Sequence, residues 1–484
     1  MNDYNRLFIG GDWAKPASDA RLTVISPATE EAVGSVPEAA TGDIDAAVAA
    51  ARNAFDHGPW PRTTGAERAA VLARLSAAIS ERAEEFAQVI STEMGSPIGF
   101  TRVGQVWTAT MALDYYTGLA RDTDWEDIRP GLMGPTVVRR TPVGVVAAIV
   151  PWNVPLYVTM LKLAPALAAG CCVVIKPAPA TPLSGQLLAE VIAGIGLPPG
   201  VVSIVPADRA VGEYLVTHPG VDKVAFTGST AAGRRIASLC GERLRRVTLE
   251  LGGKSAAVLL PDVDLGTALP MVVSAGLMNN GEACIAQTRI LAPGDRYDEV
   301  AQALVAAVAA VKVGDPLDER TEVGPLVSAA QRERVEGYLA TGAAEGAKVA
   351  VGGGRPGTFD RGWYVEPTVF IDVDNGMRIA QEEIFGPVLS LIRYRDVDEA
   401  VAIANDSRYG LSGSVWTEDN DAGLDVARRI RTGTYNVNTF TLENCAPFGG
   451  YKDSGLGREL GPEGLAAYVE YQSVNMPYGW AALS

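Results

Sequence analysis

Histidine is nearly absent: the 484-residue chain has two, His57 in "FDHGPW" and His218 in "THPG". Both stretches read as turns, so both side chains are expected in surface loops. Chemistry that depends on histidine, as in Ser-His-Asp or Cys-His hydrolases, is therefore a poor fit. Cysteine is scarce too. The five (Cys171, Cys172, Cys240, Cys284 and Cys445) are odd in number, and no CxxC occurs. A disulfide framework or a zinc site is not expected, and no metal is assigned. Basic charge is also in deficit. With Asp+Glu 57 against Lys+Arg 41 the net charge is −16, which argues against nucleic acid and anionic membranes as partners. It does not exclude a phosphate-bearing ligand, because backbone amides bind anions inside acidic proteins. The start, "MNDYNRLFIGGDW", lacks the basic and apolar regions of a signal peptide, and a cytoplasmic location is expected. The one long uncharged run, Pro142 to Leu161, contains three prolines. It fits a strand, a turn and a helix start better than a membrane span.

What is present is a globular composition, 48% hydrophobic and 20% charged, with a core of Ala, Val, Leu and Ile. The length exceeds one hydrophobic core and predicts two or three domains. The first third reads as mostly helical, as in "DIDAAVAAARNAF" and "GAERAAVLARLSAAISERAEEFAQVISTEM". From Pro142 onward, valine-rich runs ("VGVVAAIVP", "CCVVIKP", "GVVSIVP", "KVAFTG", "RVTLELG") alternate with helical segments. That pattern predicts a doubly wound parallel sheet with ligands at the carboxyl ends of its strands. After Leu251 a second α/β alternation begins, including a helix over about 265–279. Gly352, Gly354 and Gly357 in "GGGRPG" satisfy G-x-G-x-x-G, but no helix start follows, so a plain loop is expected.

Four stretches carry the chemistry. "VPWNVP" places Asn153 at the end of a strand. "FTGSTAAG" leads a strand through Gly228 and Ser229 into a helix, whose free N–H groups form an anion site. "LELGGK" places Glu250 at the end of the first domain's last strand. "NNGEACIAQTR" holds Cys284. Read singly, each has a dull structural explanation; together they lie at carboxyl ends of strands.

With "KPA", "EEIFGPV" and "PFGGYKDSGLGRELG" in the same order, the chain resembles the aldehyde dehydrogenase superfamily in its hydrolytic, non-CoA form, from Phe8 to Tyr471. The resemblance implies oxidation of an aldehyde to the acid with NAD(P), through a cysteine thiohemiacetal and thioester. Cys284 is similar to the nucleophile, Asn153 to the oxyanion-binding amide, and Glu250 to the residue that activates water. Lys162 and Glu459 match positions near that base. For the cofactor, Lys176 resembles the adenosine-ribose lysine and Ser229 a pyrophosphate contact. Glu383 matches the nicotinamide-ribose carboxylate, and Phe385 lies near the ring. Val150, Trp152, Thr227, Gly228 and Leu251 are expected to flank the cofactor. The CoA-acylating relatives typically lack the water-activating glutamate, which is present here. A binding protein that had lost the chemistry would usually lack the cysteine or the amide.

Two positions depart from the pattern. Pro179 stands where many NAD-preferring relatives carry an acid, which leaves NADP possible beside NAD. Glu282 in "GEAC" stands where glutamine is frequent, and is expected to disfavour the neighbouring thiolate. The pocket is assigned to Val154, Tyr157, Leu161, Ala283, Ile285, Phe440, Cys445 and Phe448, with no cation placed for a carboxylate, so a neutral aliphatic or aromatic aldehyde is expected. Cys171, Cys172 and Cys240 are expected to be structural. The expected domains are a dinucleotide-binding domain (1–120 and 142–252), a catalytic domain (253–452), and a small β oligomerisation flap with the C-terminal segment (121–141 and 453–484). The flap implies a homodimer or homotetramer.

Overall fold

Valine-rich runs too short for helices, separated by helical segments, build two large sheets in the computed structural model, which describes residues 2–480. In the first sheet we number the five parallel strands β1 (Val145–Ile149), β2 (Cys172–Lys176), β3 (Val202–Ile204), β4 (Lys223–Thr227) and β5 (Arg246–Glu250). Their spatial order is β5-β4-β1-β2-β3. The chain winds outward from β1 in one direction and then returns to its other side, so the topological switch lies between β1 and β4. All residues of β1 and β2 are buried, as expected of strands covered by helices on both faces.

The second sheet packs six parallel strands and one antiparallel edge strand. Its order is Lys348–Val351, Thr368–Ile371, Val388–Tyr394, Arg289–Pro293, Ala256–Leu259, Gly413–Trp416 and Asn436–Val437. Separate apolar clusters cover its two faces. A third, three-stranded antiparallel sheet joins Glu126–Arg129, Thr136–Pro142 and Val469–Asn475, with Tyr471 opposite Arg140.

Three details refine these expectations. The first third is not only helical: Asn2–Asp3, Arg21–Ile25 and Ala32–Pro37 form a small sheet, and a hairpin, Leu7–Ile9 with Asp12–Ala14, extends the first large sheet. Most of these strands are too short for a period-two pattern to stand out. The helix Leu265–Leu277 stops before Asn279, because Asn279 and Asn280 adopt left-handed backbone (φ 51° and 63°). Finally, Gly455–Leu456, grouped with the flap, pairs antiparallel with β5 in the first sheet. The "GGGRPG" glycines sit in a loop with no helix after them. His57 is exposed just after helix Thr41–Asp56, and His218 closes helix Arg209–Thr217 with Nε2 3.3 Å from Asp45 Oδ1. Cys171, Cys172 and Cys240 are buried. Among the described residues no helix is long and apolar enough to cross a membrane.

Candidate active site

A cavity of about 350 Å³ opens at the carboxyl ends of β1 and β4, at the switch point. Its walls come from segments far apart in sequence. Pro151, Trp152 and Asn153 follow β1; Thr227, Gly228 and Ser229 end β4; Ala283, Cys284 and Ile285 come from the second domain.

Asn153 is held in a buried network. Its Nδ2 donates to Glu282 O (2.9 Å), and its own carbonyl accepts from Asn279 Nδ2 (2.9 Å). Asn279 Oδ1 accepts from Ser96 Oγ at 2.7 Å. Asn280 Nδ2 donates to the carbonyls of Gly95 and Pro325. The two left-handed asparagines thus anchor the loop that presents Cys284. Sequence reasoning assigned them no role, although Asn-Asn-Gly is a recognisable left-handed signature.

Burial, then the negative charges of Glu383 and Glu250, push the Cys284 thiol up to about 12. Backbone N–H groups of Cys284 and Ile285 pull it the other way. Glu282, expected to be the perturbing carboxylate, is not: it is fully buried, and its Oε1 accepts from Val327 N–H at 3.1 Å, outside the cavity lining.

Glu250, at the end of β5, is buried with neither carboxylate oxygen hydrogen-bonded. A Cβ at position 449 would lie 2.6 Å from Glu250 Oε1, so Gly449 is what leaves the carboxylate room. The residue lies behind the cavity wall rather than on it. Burial and the charge of Glu459 raise its proton affinity well above the usual carboxylate range, and Lys162 opposes them. Lys162 Nζ donates to Glu459 Oε1 and Thr227 Oγ1, both at 2.6 Å. Thr227 lines the cavity, so the Lys162–Glu459 pair beside Glu250 is hydrogen-bonded to the cavity wall.

On the other wall, Ser229 caps helix Thr230–Gly241 through Ala232 N–H (3.3 Å), leaving a helix N-terminus at the cavity. Trp152 and Phe385 meet edge to face at 5.3 Å, with Phe385 in left-handed backbone (φ 64°). Glu383 accepts from Gly253 N–H (3.0 Å), and burial raises it to about 7. Lys176 lies outside this cavity at the end of β2. Its ammonium donates to Pro177 O (3.0 Å) and Ala207 O (2.7 Å), and burial lowers it to about 8.

The family model described as "Aldehyde dehydrogenase family" matches residues 13–474. The chain belongs to the aldehyde dehydrogenase family. It is 52% identical to a geranial dehydrogenase of Castellaniella defragrans over 98% of each chain. An aldehyde dehydrogenase of Mycobacterium tuberculosis complexed with NAD+ superposes with a TM-score of 0.98 at 50% identity, covering 100% of both chains. A mutant aldehyde dehydrogenase C of Pseudomonas syringae, in complex with NAD+ and octanal, gives 0.94 at 43% identity over 97% of this chain and 96% of its own. The protein is accordingly an NAD(P)-dependent aldehyde dehydrogenase that oxidises an aldehyde to the acid.

In this dehydrogenase the residues expected to touch the cofactor divide in two. Trp152, Thr227, Gly228, Ser229, Leu251, Glu383 and Phe385 share the Cys284 cavity. Val150, which is buried, and Pro179, which is exposed, lie outside it with Lys176. A helix N-terminus, a buried lysine and a carboxylate beside the thiol together fit a dinucleotide. Of the assigned pocket residues, Val154, Tyr157, Leu161, Ala283, Ile285 and Phe448 line the cavity. Phe440 and Cys445 do not: Phe440 is half-buried elsewhere and Cys445 is exposed, while Leu442 from the same loop takes the wall position. Val158, Phe100, Gly104 and Met278 also line it and went unassigned. Val158 was within reach, since 154, 157, 158 and 161 share one helix face. Phe100 and Met278 arrive through tertiary packing alone.

Proposed function

We propose that this enzyme oxidises an uncharged, apolar aldehyde, with Cys284 as nucleophile and NAD as the acceptor. The observation that carries the substrate class is the fate of Arg334, the one Lys or Arg on the cavity wall among the described residues. Arg334 donates to the carbonyls of Glu383 (2.5 Å) and Ile384 (3.2 Å), so its guanidinium is engaged on the cofactor side. Val154, Val158, Leu161, Ile285 and Leu442 are apolar and Tyr157 adds only a neutral hydroxyl, so these residues offer no positive charge to a carboxylate. The substrates named for two of the relatives, geranial and octanal, have the same character.

Once its proton has passed to water, Cys284 Sγ attacks the aldehyde carbon as the thiolate, and the oxygen becomes an alkoxide. Asn153 Nδ2 and the Cys284 backbone N–H are the donors for that oxygen, and Asn153 exchanges its bond to Glu282 O for it. The helix N-terminus at Ser229, with Glu383 and Lys176, would hold NAD, which would supply the hydride acceptor. The thioester left on Cys284 is hydrolysed by water. Glu250, whose burial strengthens it as a base, takes the water's proton, and Lys162 with Glu459 carries that charge change. Pro179, exposed and neutral, neither grips a ribose 2′-hydroxyl nor repels a 2′-phosphate, so some NADP activity is expected.

The three-stranded sheet supports a homo-oligomer. Its edge strand Val469–Asn475 and neighbouring loop expose Tyr471, Val474, Leu132 and Met133, an unpaired apolar edge of the kind that pairs between copies. All five cysteines are free, which suits a reducing cytoplasm. The Val474→Asp enzyme should sediment as a smaller species than the wild type.

The deciding assay is formation of reduced nicotinamide without CoA, over neutral and carboxylate-bearing aldehydes, with NAD and NADP. The wild type should turn over octanal and the Cys284→Ala enzyme should not. Greater efficiency on a semialdehyde acid than on any neutral aldehyde, or a requirement for CoA, would refute this reading.

A further inference from the structure

We infer that the groove between helix Leu265–Leu277 and helix Tyr297–Ala309 is a distal subsite for the hydrocarbon tail of the aldehyde. This rests on the apolar-aldehyde reading above and specifies where a long substrate goes.

Space motivates it. The catalytic cavity, about 350 Å³, must accept the nicotinamide end of the cofactor as well as the aldehyde head. That is the lower end of what a single drug-sized ligand fills. A second hollow of about 490 Å³ lies alongside, and Phe100 and Met278 line both. These two side chains are therefore the partition between them.

Opening the subsite requires both halves of the partition to swing aside, and each sits beside irregular backbone. Phe100 precedes a π-helical stretch, Thr101–Trp107, the kind of irregular turn that recurs at functional sites. A Cβ at Gly104 would lie 2.6 Å from the Phe100 ring, so the ring folds onto its own helix where a side chain is missing. Met278 sits where the helix has just ended (φ −48°, ψ 141°), and methionine is unbranched with three rotatable bonds.

The groove walls suit an alkyl chain. Pro270, Val273, Ser274 and Leu277 form one face of their helix by i, i+3, i+4 and i+7 spacing. Ala307 and Ala310 face them, and such small side chains keep the groove open. Glu322 at its margin opposes a tail ending in a carboxylate.

The test compares kcat/KM for butanal and decanal in the wild type, Ser274→Trp and Ala310→Trp. Both positions are exposed, so neither indole needs room in the core, and each obstructs the groove from a different wall. Burial of each added methylene can raise kcat/KM by about fourfold. The wild type should therefore prefer decanal strongly, and each variant should lose at least tenfold of the decanal-to-butanal ratio. An unchanged ratio in both variants would overturn the subsite while leaving aldehyde oxidation intact. Oxidation of neither aldehyde by the wild type would refute the underlying substrate reading, and the subsite with it.

Discussion

The Lys162 ammonium stands 2.6 Å from Oε1 of Glu459, with both side chains almost completely buried. Beside this pair, Glu250 has no hydrogen-bond partner among the described residues. One carboxylate in the cluster is thus neutralised and the other is left with a high proton affinity, an arrangement suited to a base that must take up and release a proton.

Substitutions in the pair should move the pH profile in opposite directions. Glu459 raises the proton affinity of Glu250 and Lys162 lowers it. In Glu459→Gln the acidic limb of kcat should move to lower pH; in Lys162→Met it should move higher. Each change also breaks a buried ion pair, costing about 3–5 kcal/mol of stability. Thermal unfolding run beside the pH–rate profile separates the two effects, and limbs that stay in place would detach the pair from the base.

Asn153→Ala removes the proposed oxyanion donor. Turnover should fall by about 10²–10³ in kcat, with a much smaller change in KM. The buried Glu282 carbonyl also loses a donor, so a modest drop in melting temperature accompanies it. A fall in kcat below tenfold would remove Asn153 from the oxyanion site.

The thiol should respond to Glu383. Above pH 7 its charge opposes thiolate formation at Cys284. Removing that charge in Glu383→Gln lowers the thiol pKa, so iodoacetamide should alkylate the cofactor-free enzyme several-fold faster at pH 8. Equal rates in the two proteins would contradict the electrostatic coupling.

Glu93 sets a pH dependence far from the chemistry. Its carboxylate is buried and accepts the N–H groups of Leu183 and Ser184, at the start of helix Leu183–Gly194. Burial raises it to about 7 from 4.5. The folded state then binds the proton more tightly than the unfolded chain. This contribution to stability is present in full below pH 4.5 and is lost as pH rises to 7, by at most about 3 kcal/mol. In Glu93→Gln the slope of stability against pH over that window should flatten, as urea titrations would read.

Much of this was legible in the chain itself. Five valine-rich runs alternating with helical segments specify a parallel sheet, because only strands covered on both faces are apolar throughout. Cys284, Asn153, Glu250 and the Gly-Ser-Thr helix start were recognisable because each sits at a strand end or a marked turn. The N-terminal strands were not: three of the five have only two or three residues, which carry too little pattern. Glu282 misled because nearness in sequence was taken for nearness of charge, whereas its side chain is spent on Val327 N–H.

Local sequence thus determined most of the elements and their alternation, and with the family resemblance it marked the candidate thiol, amide and base. Tertiary structure alone decided which carboxylates the thiol faces, that Glu250 lies behind the cavity wall, that Leu442 rather than Phe440 or Cys445 reaches the pocket, and that Phe100 and Met278 divide two cavities. The reason is physical. Backbone periodicity and turn chemistry act over a few residues and are written in local order. Side-chain direction, burial and through-space charge depend on segments such as residues 100, 278 and 442, which meet only once the two domains have packed.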